Sequence, residues 1–231
     1  MSAPSKPPGN VNVNEHYIFP DYGVIPVFGH TNTGKSSAAL TLINLYYSTL
    51  PDVAFVHISS SDHSDQLKEQ LESKCFIKSQ VTFRSTDKTE EQLDDLLKHH
   101  DRTESNTLVF LFDDLQQHQP TSLKWIQKHT NTSRHSRCVI FFTAHSLDAQ
   151  TIKGFFNNVL MSAEKMVITV HKQNGQLLHQ FERKKVLNIE KKTIEAIKKL
   201  NADLYPFIIL DIASQSVTTS IFTTIFSTDC G

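Results

Sequence analysis

The stretch Gly29-His30-Thr31-Asn32-Thr33-Gly34-Lys35-Ser36 decides how the rest of the chain is read. It fits G-x-x-x-x-G-K-[ST], a loop that cradles the phosphates of a nucleotide. Its two glycines let the backbone curl closely around an anion with the N–H groups pointing inward. Lys35 has the reach to meet the β- and γ-phosphates, and the Ser36 hydroxyl is suited to ligate Mg²⁺. Together with Ser37, these residues form the candidate nucleotide-binding segment, with Lys35 expected as an exposed loop lysine. The flanks supply the required order. Val24-Ile25-Pro26-Val27-Phe28 reads as a short buried strand, and residues 37–47 read as a helix with Leu40, Ile43 and Tyr47 on one face. Strand, glycine-rich loop and helix together aim the helix N-terminus at the bound anion.

A second constellation lies downstream. Thr107-Leu108-Val109-Phe110-Leu111-Phe112 is the most apolar run of the chain and ends in Asp113-Asp114. A continuous apolar strand suits the centre of a parallel sheet covered on both faces. Acids at its C-terminal end sit where ligands bind in open α/β sheets. Asp113 is suited to hold the Mg²⁺ shell opposite Ser36. Asp114 is suited to orient or deprotonate an attacking water. The plainer alternative is that the pair caps the next helix.

Cys138-Val139-Ile140-Phe141-Phe142 reads as another buried strand, ending in Thr143-Ala144-His145. If it lies between the strands ending at Phe28 and Asp113, His145 faces the γ-phosphate and reports its presence. Arg134 precedes that strand, which puts it at the opposite rim of the sheet from His145. In an oligomer it could reach a neighbour's γ-phosphate as an arginine finger. The plainer alternatives are a polar strand end and a surface arginine.

The remaining pattern alternates. Strands are expected over 53–58 and 80–84, and helices over 64–73, from Thr89 with Gln92 as its capping-box partner, and over 120–130. Another helix carries Ile152, Phe155 and Phe156, followed by a short strand Val159-Leu160-Met161. A strand at 166–170, helices over 176–187 and 189–200, a strong strand at 206–212 and an edge strand around 218–226 complete the chain. The reading is one domain over 17–226, a flexible arm over 1–16 and a tail over 227–231.

Composition bounds the function. The formal net charge of the 231 residues is −1, which excludes a globally basic nucleic-acid binder. A local basic part begins at about residue 165. Between Lys165 and Leu200 nine lysines and arginines face three acids, an excess of six positive charges, so the rest of the chain carries −7. That asymmetry suits a protein that holds a polyanion on one side, or a solvated helix face. No zinc finger or other DNA-reading motif appears. Cys75, Cys138 and Cys230 are widely spaced, which reads as reduced thiols in an intracellular compartment. The twelve histidines are scattered without zinc-site spacing. No apolar run reaches the length of a transmembrane helix, so no membrane partner is expected. The opening MSAPSKPPGNVNVNE has no apolar core of a secretory signal.

Taken together, Gly29 to Ser36, LVFLFDD, SRHSRCVIFFTAHSLDAQTIKGFFNNVLMS and YPFIILD resemble the poxvirus-type genome-packaging ATPases of large eukaryotic DNA viruses, within the FtsK/HerA superfamily of ring-forming translocases. Arg134-His135 resembles that family's Arg-His before the sensor strand, and Phe207 to Asp211 its late strand ending in Asp. The resemblance spans roughly residues 22–212. It implies an α/β P-loop NTPase of the additional-strand class, with a mainly parallel central sheet flanked by helices and a small C-terminal helical and strand extension. It implies ATP and Mg²⁺ as cofactors, sequence-independent double-stranded DNA and viral capsid proteins as partners, a homo-oligomeric ring, and action at sites of virion assembly in host cytoplasm or nucleus. Two positions depart from the family. Its sensor is usually Gln, where this chain has His145. It usually has Arg after the next helix's Ile, where this chain has Ile152-Lys153. Lys lacks the planar fork that clamps a phosphate twice, so the trans-acting cation is Arg134 or Lys153.

Other classes fit less well. A small-molecule phosphotransferase clamps two phosphorylated ligands with several arginines, and this chain has five in all. A regulatory GTPase needs N-K-x-D and D-x-x-G, which do not occur. A non-catalytic nucleotide scaffold leaves the intact set Lys35, Ser36, Asp113 and Asp114 unexplained. A cellular or plasmid translocase of the same fold is the alternative that the sequence does not separate from a packaging motor.

Overall fold

The computed structural model describes residues 19–48, 50, 52–60, 77, 79–99, 107–147, 154–170, 175–184, 189–200, 206–219 and 224–226. The apolar runs become strands. β1 is Gly23–Phe28, β2 Val53–Ser59, β3 Ser79–Arg84, β4 Thr107–Asp113, β5 Cys138–Ala144, β6 Lys165–Thr169, β7 Phe207–Asp211, β8 Val217–Thr219 and β9 Thr224–Phe226. Among the described residues they form one sheet in the order β3-β2-β4-β5-β1-β6-β7-β8-β9. The six strands from β3 to β6 run parallel, and β7, β8 and β9 are added antiparallel. The central strands β4, β5 and β1 are buried on both faces, as their apolar sequences require, whereas the edge strand β3 is largely exposed.

Helices cover both faces. α1 (Lys35–Tyr47) lies on one, where Ala39, Leu42 and Ile43 pack with Ile25, Val27, Val109, Leu111 and Phe141. The other face carries α2 (Thr89–His99), α3 (Pro120–Thr130), α5 (Phe155–Leu160), α6 (Gly175–Lys184) and α7 (Lys191–Lys198). There Leu93, Trp125, Phe155, Phe181 and Ile194 pack with Phe28, Phe110, Phe112, Ile140 and Phe142. The four-residue α4 (Ser133–Ser136) leads directly into β5.

One feature of the order positions the site. β5 lies between β4 and β1, as the additional-strand arrangement demands. The registers Phe28↔Ala144 and Phe112↔Phe142 bring the C-terminal ends of all three strands to one level. The residues that follow them, Gly29, Asp113-Asp114 and His145, therefore meet on one rim.

Several local expectations change. Val159 and Leu160 are the last turn of α5 rather than a strand. Phe155, Phe156, Val159 and Leu160 are buried at helical spacing, whereas Met161 is 82% exposed. The edge strand expected around 218–226 is the antiparallel pair β8 and β9. The capping box expected from Thr89 to Gln92 is replaced by one that starts at Thr86, with Thr89 as the residue that reaches back. The Thr89 hydroxyl accepts the Thr86 N–H (2.7 Å), and Thr86 Oγ1 accepts the Lys88 N–H (3.2 Å) at the entry of α2. The helix expected over 64–73, the N-terminal arm and the tail lie outside the described residues. Among the described residues, no helix is long and apolar enough to cross a membrane.

Candidate active site

The phosphate loop is held by its neighbours. The Gly29 N–H donates to Ala144 O (3.2 Å), which ties the loop to β5. A Cβ at Gly29 would lie 1.8 Å from Thr169 Oγ1 and 2.7 Å from Thr33 Oγ1, so no side chain fits there. Gly34, with φ 79°, and Asn32, with φ 60°, take left-handed backbone that turns the chain into α1. Thr33 Oγ1 donates to His30 O (2.7 Å) and lies 2.6 Å from Thr169 Oγ1 on β6. With its own hydrogen on His30, Thr33 accepts from Thr169. His30, Thr31, Asn32, Gly34 and Ser37 are exposed.

Lys35 corrects an expectation. It is 7% exposed rather than a solvent-facing loop residue. Its Nζ donates to His30 O (2.9 Å) and to His145 Nδ1 (2.9 Å). An ammonium only donates, so Nδ1 is the bare nitrogen and Nε2 carries the hydrogen. His145 Nε2 then stands 2.8 Å from Asp114 Oδ1, a polar contact of the neutral ring with the carboxylate that is poorly aligned as a hydrogen bond. Burial pushes the Lys35 ammonium below its ordinary pKa, and Asp114 and Asp113 pull it part of the way back.

The two acids divide. Asp113 Oδ1 accepts the Ser36 hydroxyl (2.6 Å) and the Thr143 hydroxyl (2.8 Å). Ser36 and Asp113 thus present hard oxygen donors side by side next to the loop, a donor set that fits Mg²⁺. Asp114 stands in left-handed backbone, φ 56° and ψ 64°, with its N–H donating to Thr143 Oγ1 (2.7 Å). Such backbone is uncommon outside glycine and gathers at functional sites. Gln117 Nε2 donates to Asp114 Oδ2. Burial raises the Asp114 carboxyl, but His145, Lys35 and His118 outweigh it and hold the group below its ordinary pKa.

Residues that sequence reasoning did not single out complete the rim. Thr143 serves both acids. Gln116, with its amide oxygen turned inward, accepts the N–H groups of His145 (2.8 Å) and Ser146 (3.2 Å). His118 Nε2 donates to Asp113 O (2.7 Å). The Gln-Gln pair directly after Asp113-Asp114-Leu115 was the available signal, since polar residues one turn beyond a strand-end acid fold back over it.

Other expected residues stand apart. Arg134 lies in α4 at the N-terminal end of β5, the opposite end of that strand from His145, roughly 20 Å along a seven-residue strand. Lys153 lies outside the described residues. Asp211, the acid ending the late strand, is remote from the loop. It sits at the far end of β7, pairs with Lys165 (2.5 Å), and accepts the Ser214 N–H (2.9 Å).

A parallel sheet with helices on both faces, a glycine-rich loop after β1 and acids at the end of a strand one place removed make this a P-loop NTPase fold of the additional-strand kind. No protein-family model and no curated protein matches the chain. Solved structures do. The genome packaging NTPase B204 from Sulfolobus turreted icosahedral virus 2, in complex with ATP-gammaS, matches over 87% of this chain and 97% of its own, with a TM-score of 0.57 at 14% identity. The same protein with AMP gives a TM-score of 0.55 at 15% identity over 87% of this chain and 98% of its own. EssC (ATPases 2 and 3) from Geobacillus thermodenitrificans matches with a TM-score of 0.53 at 12% identity, over 83% of this chain and 38% of its own. At these identities the likeness is one of fold.

Proposed function

We propose that the protein is an ATP-driven translocase of double-stranded DNA that packages a viral genome into a capsid, a packaging ATPase of the poxvirus type. The observation that carries the hydrolytic part is the convergence of Ser36 and Asp113 at 2.6 Å, with Lys35 and Asp114 on either side. Residues 29–37 would hold the nucleotide, with Lys35 leaving His30 O and His145 for the β- and γ-phosphates. Ser36 and Asp113 would hold Mg²⁺, which neutralises charge on the phosphate oxygens when bound. Asp114 would orient or deprotonate the water. His145, bridging Lys35 and Asp114, would report whether a γ-phosphate has taken Lys35 away. The fold match to a packaging NTPase solved with an ATP analogue supports this assignment.

DNA and assembly complete the reading. Arg183, Lys191 and Lys199 are exposed and have no acidic partner among the described residues, while Lys192 and Lys198 pair with Glu190, Glu182 and Glu195. This uncompensated charge suits sequence-independent contact with a phosphate backbone. A homo-oligomeric ring, with Arg134 or Lys153 crossing to the neighbour's nucleotide, and docking to capsid proteins belong to the same proposal, as does a single domain spanning 17–226.

Paired variants test the hydrolytic roles. Asp114→Asn is expected to lower ATP turnover by about 10²–10⁴ while Mg²⁺-nucleotide binding persists, because Ser36 and Asp113 remain. Lys35→Ala is expected to abolish turnover. Nucleotide affinity that collapses in Asp114→Asn would reverse the roles of the two acids.

A further inference from the structure

We propose that Thr143 is a positioning residue of hydrolysis, whose one hydroxyl aims Asp113 at Ser36 and holds the Asp114 peptide in its left-handed turn. A threonine hydroxyl has one hydrogen and two lone pairs. Here the hydrogen goes to Asp113 Oδ1 at 2.8 Å, and a lone pair takes the Asp114 N–H at 2.7 Å. Thr143 is 1% exposed, so bulk water does not compete for either bond. The placement follows from the sheet. Phe112 pairs with Phe142, so the next residue of each strand, Asp113 and Thr143, stand side by side at the rim.

The two bonds have different consequences. Asp113 Oδ1 takes two hydroxyl donors, Ser36 at 2.6 Å and Thr143. When Ser36 gives its oxygen to a cation, Thr143 remains to hold the carboxylate in place. Asp114 adopts φ 56°, which a non-glycine residue keeps only when its surroundings secure it. The hydroxyl that receives its N–H is that support, and the turn sets where the Asp114 carboxylate stands against His145 and Gln117. Metal seating and water activation therefore depend on one buried side chain, which acts through Asp113 and Asp114.

This inference rests on the ATPase reading, and its test separates the two. Thr143→Val keeps shape and burial but removes both bonds, and Thr143→Ser keeps the hydroxyl and loses only the methyl. Three quantities are compared with the unaltered protein: ATP turnover against Mg²⁺ concentration, affinity for a fluorescent ATP analogue in Mg²⁺ and in EDTA, and thermal midpoint. Loss of a group that orients a metal-holding carboxylate lowers metal affinity or activity by about 10–100-fold. Thr143→Val is expected to lose turnover by that factor and to need more Mg²⁺ for half-maximal rate. The gain in analogue affinity on adding Mg²⁺ shrinks, while affinity in EDTA stays as in the unaltered protein. Thr143→Ser is expected to recover most of the loss. Unchanged turnover and Mg²⁺ dependence in Thr143→Val overturns the proposal. So does equal loss of binding in Mg²⁺ and EDTA with no rescue by serine, which marks a packing role. If the unaltered protein hydrolyses no ATP, the ATPase reading fails, and the Mg²⁺-dependent binding still decides the place of Thr143.

Discussion

His57 gives the most quantitative handle on this molecule. It stands on β2, fully buried, with neither ring nitrogen hydrogen-bonded among the described residues. Burial drives its pKa down to about 4; Asp113 pulls it upward and His118 pushes it further down. In the unfolded chain a histidine titrates near 6.5. The unfolded state thus binds a proton first as pH falls, and the folded state loses stability between pH 6.5 and 4, with none of the effect present well above 6.5. Two-state linkage with these two values gives a loss of about 2 kcal/mol between pH 7.5 and 5 from this residue alone. His118 and His129, also lowered chiefly by burial, act in the same direction. The perturbation is His57→Leu, which removes two unpartnered polar atoms at similar volume and should cost little at pH 7.5. Urea unfolding of both proteins from pH 7.5 to 5 reads the difference. The unaltered protein should lose about 2 kcal/mol more than the variant over that range. Parallel stability curves, or a steeper fall in the variant, would refute the assignment of a buried neutral imidazole.

Two further outcomes follow from the site and its assembly. Gly29→Ala forces a Cβ to 1.8 Å from Thr169 Oγ1, so nucleotide affinity and thermal midpoint should both fall, by an amount typical of overpacking, about 1–3 kcal/mol. Thr169→Ala in the same chain should restore part of both, and a Gly29→Ala protein that binds nucleotide normally would show that the loop relaxes freely. Mixing Lys35→Ala with Arg134→Ala should recover turnover, because some mixed interfaces pair an intact loop with an intact finger, a group worth about 10³–10⁵ in rate. Absence of recovery beside a fully active monomer would leave Arg134 a surface residue.

The sequence carried the frame of this site further than its detail. The meeting of Ser36 with Asp113 was legible because a glycine-rich loop and a strand-end acid work only on one rim, whereas the order β4-β5-β1 was legible only as what the family resemblance implied. The burial of Lys35 was not, since it depends on His30 O and His145 closing over a side chain that a loop pattern leaves open. Thr143 was invisible for a related reason. Its double role needs the residue-level register of β4 against β5, which hydrophobic pattern does not specify. Val159-Leu160-Met161 misled because three apolar residues suit a strand or a helix end equally, and the preceding Phe155-Phe156 settles it only once both pack on Phe142. The late-strand Asp211 matched a family pattern, yet its partner is Lys165, an ion pair of the antiparallel extension.

The central claim joins ATP hydrolysis to DNA, and one measurement addresses it directly: steady-state ATP turnover with and without double-stranded DNA of unrelated sequences, across protein concentration and salt, beside a mass measurement in solution. The account predicts low basal turnover that rises with protein concentration, rises further with DNA irrespective of sequence, and loses the DNA response as salt releases backbone contacts. Turnover by a monomer that is fully active and indifferent to DNA at every salt would contradict it.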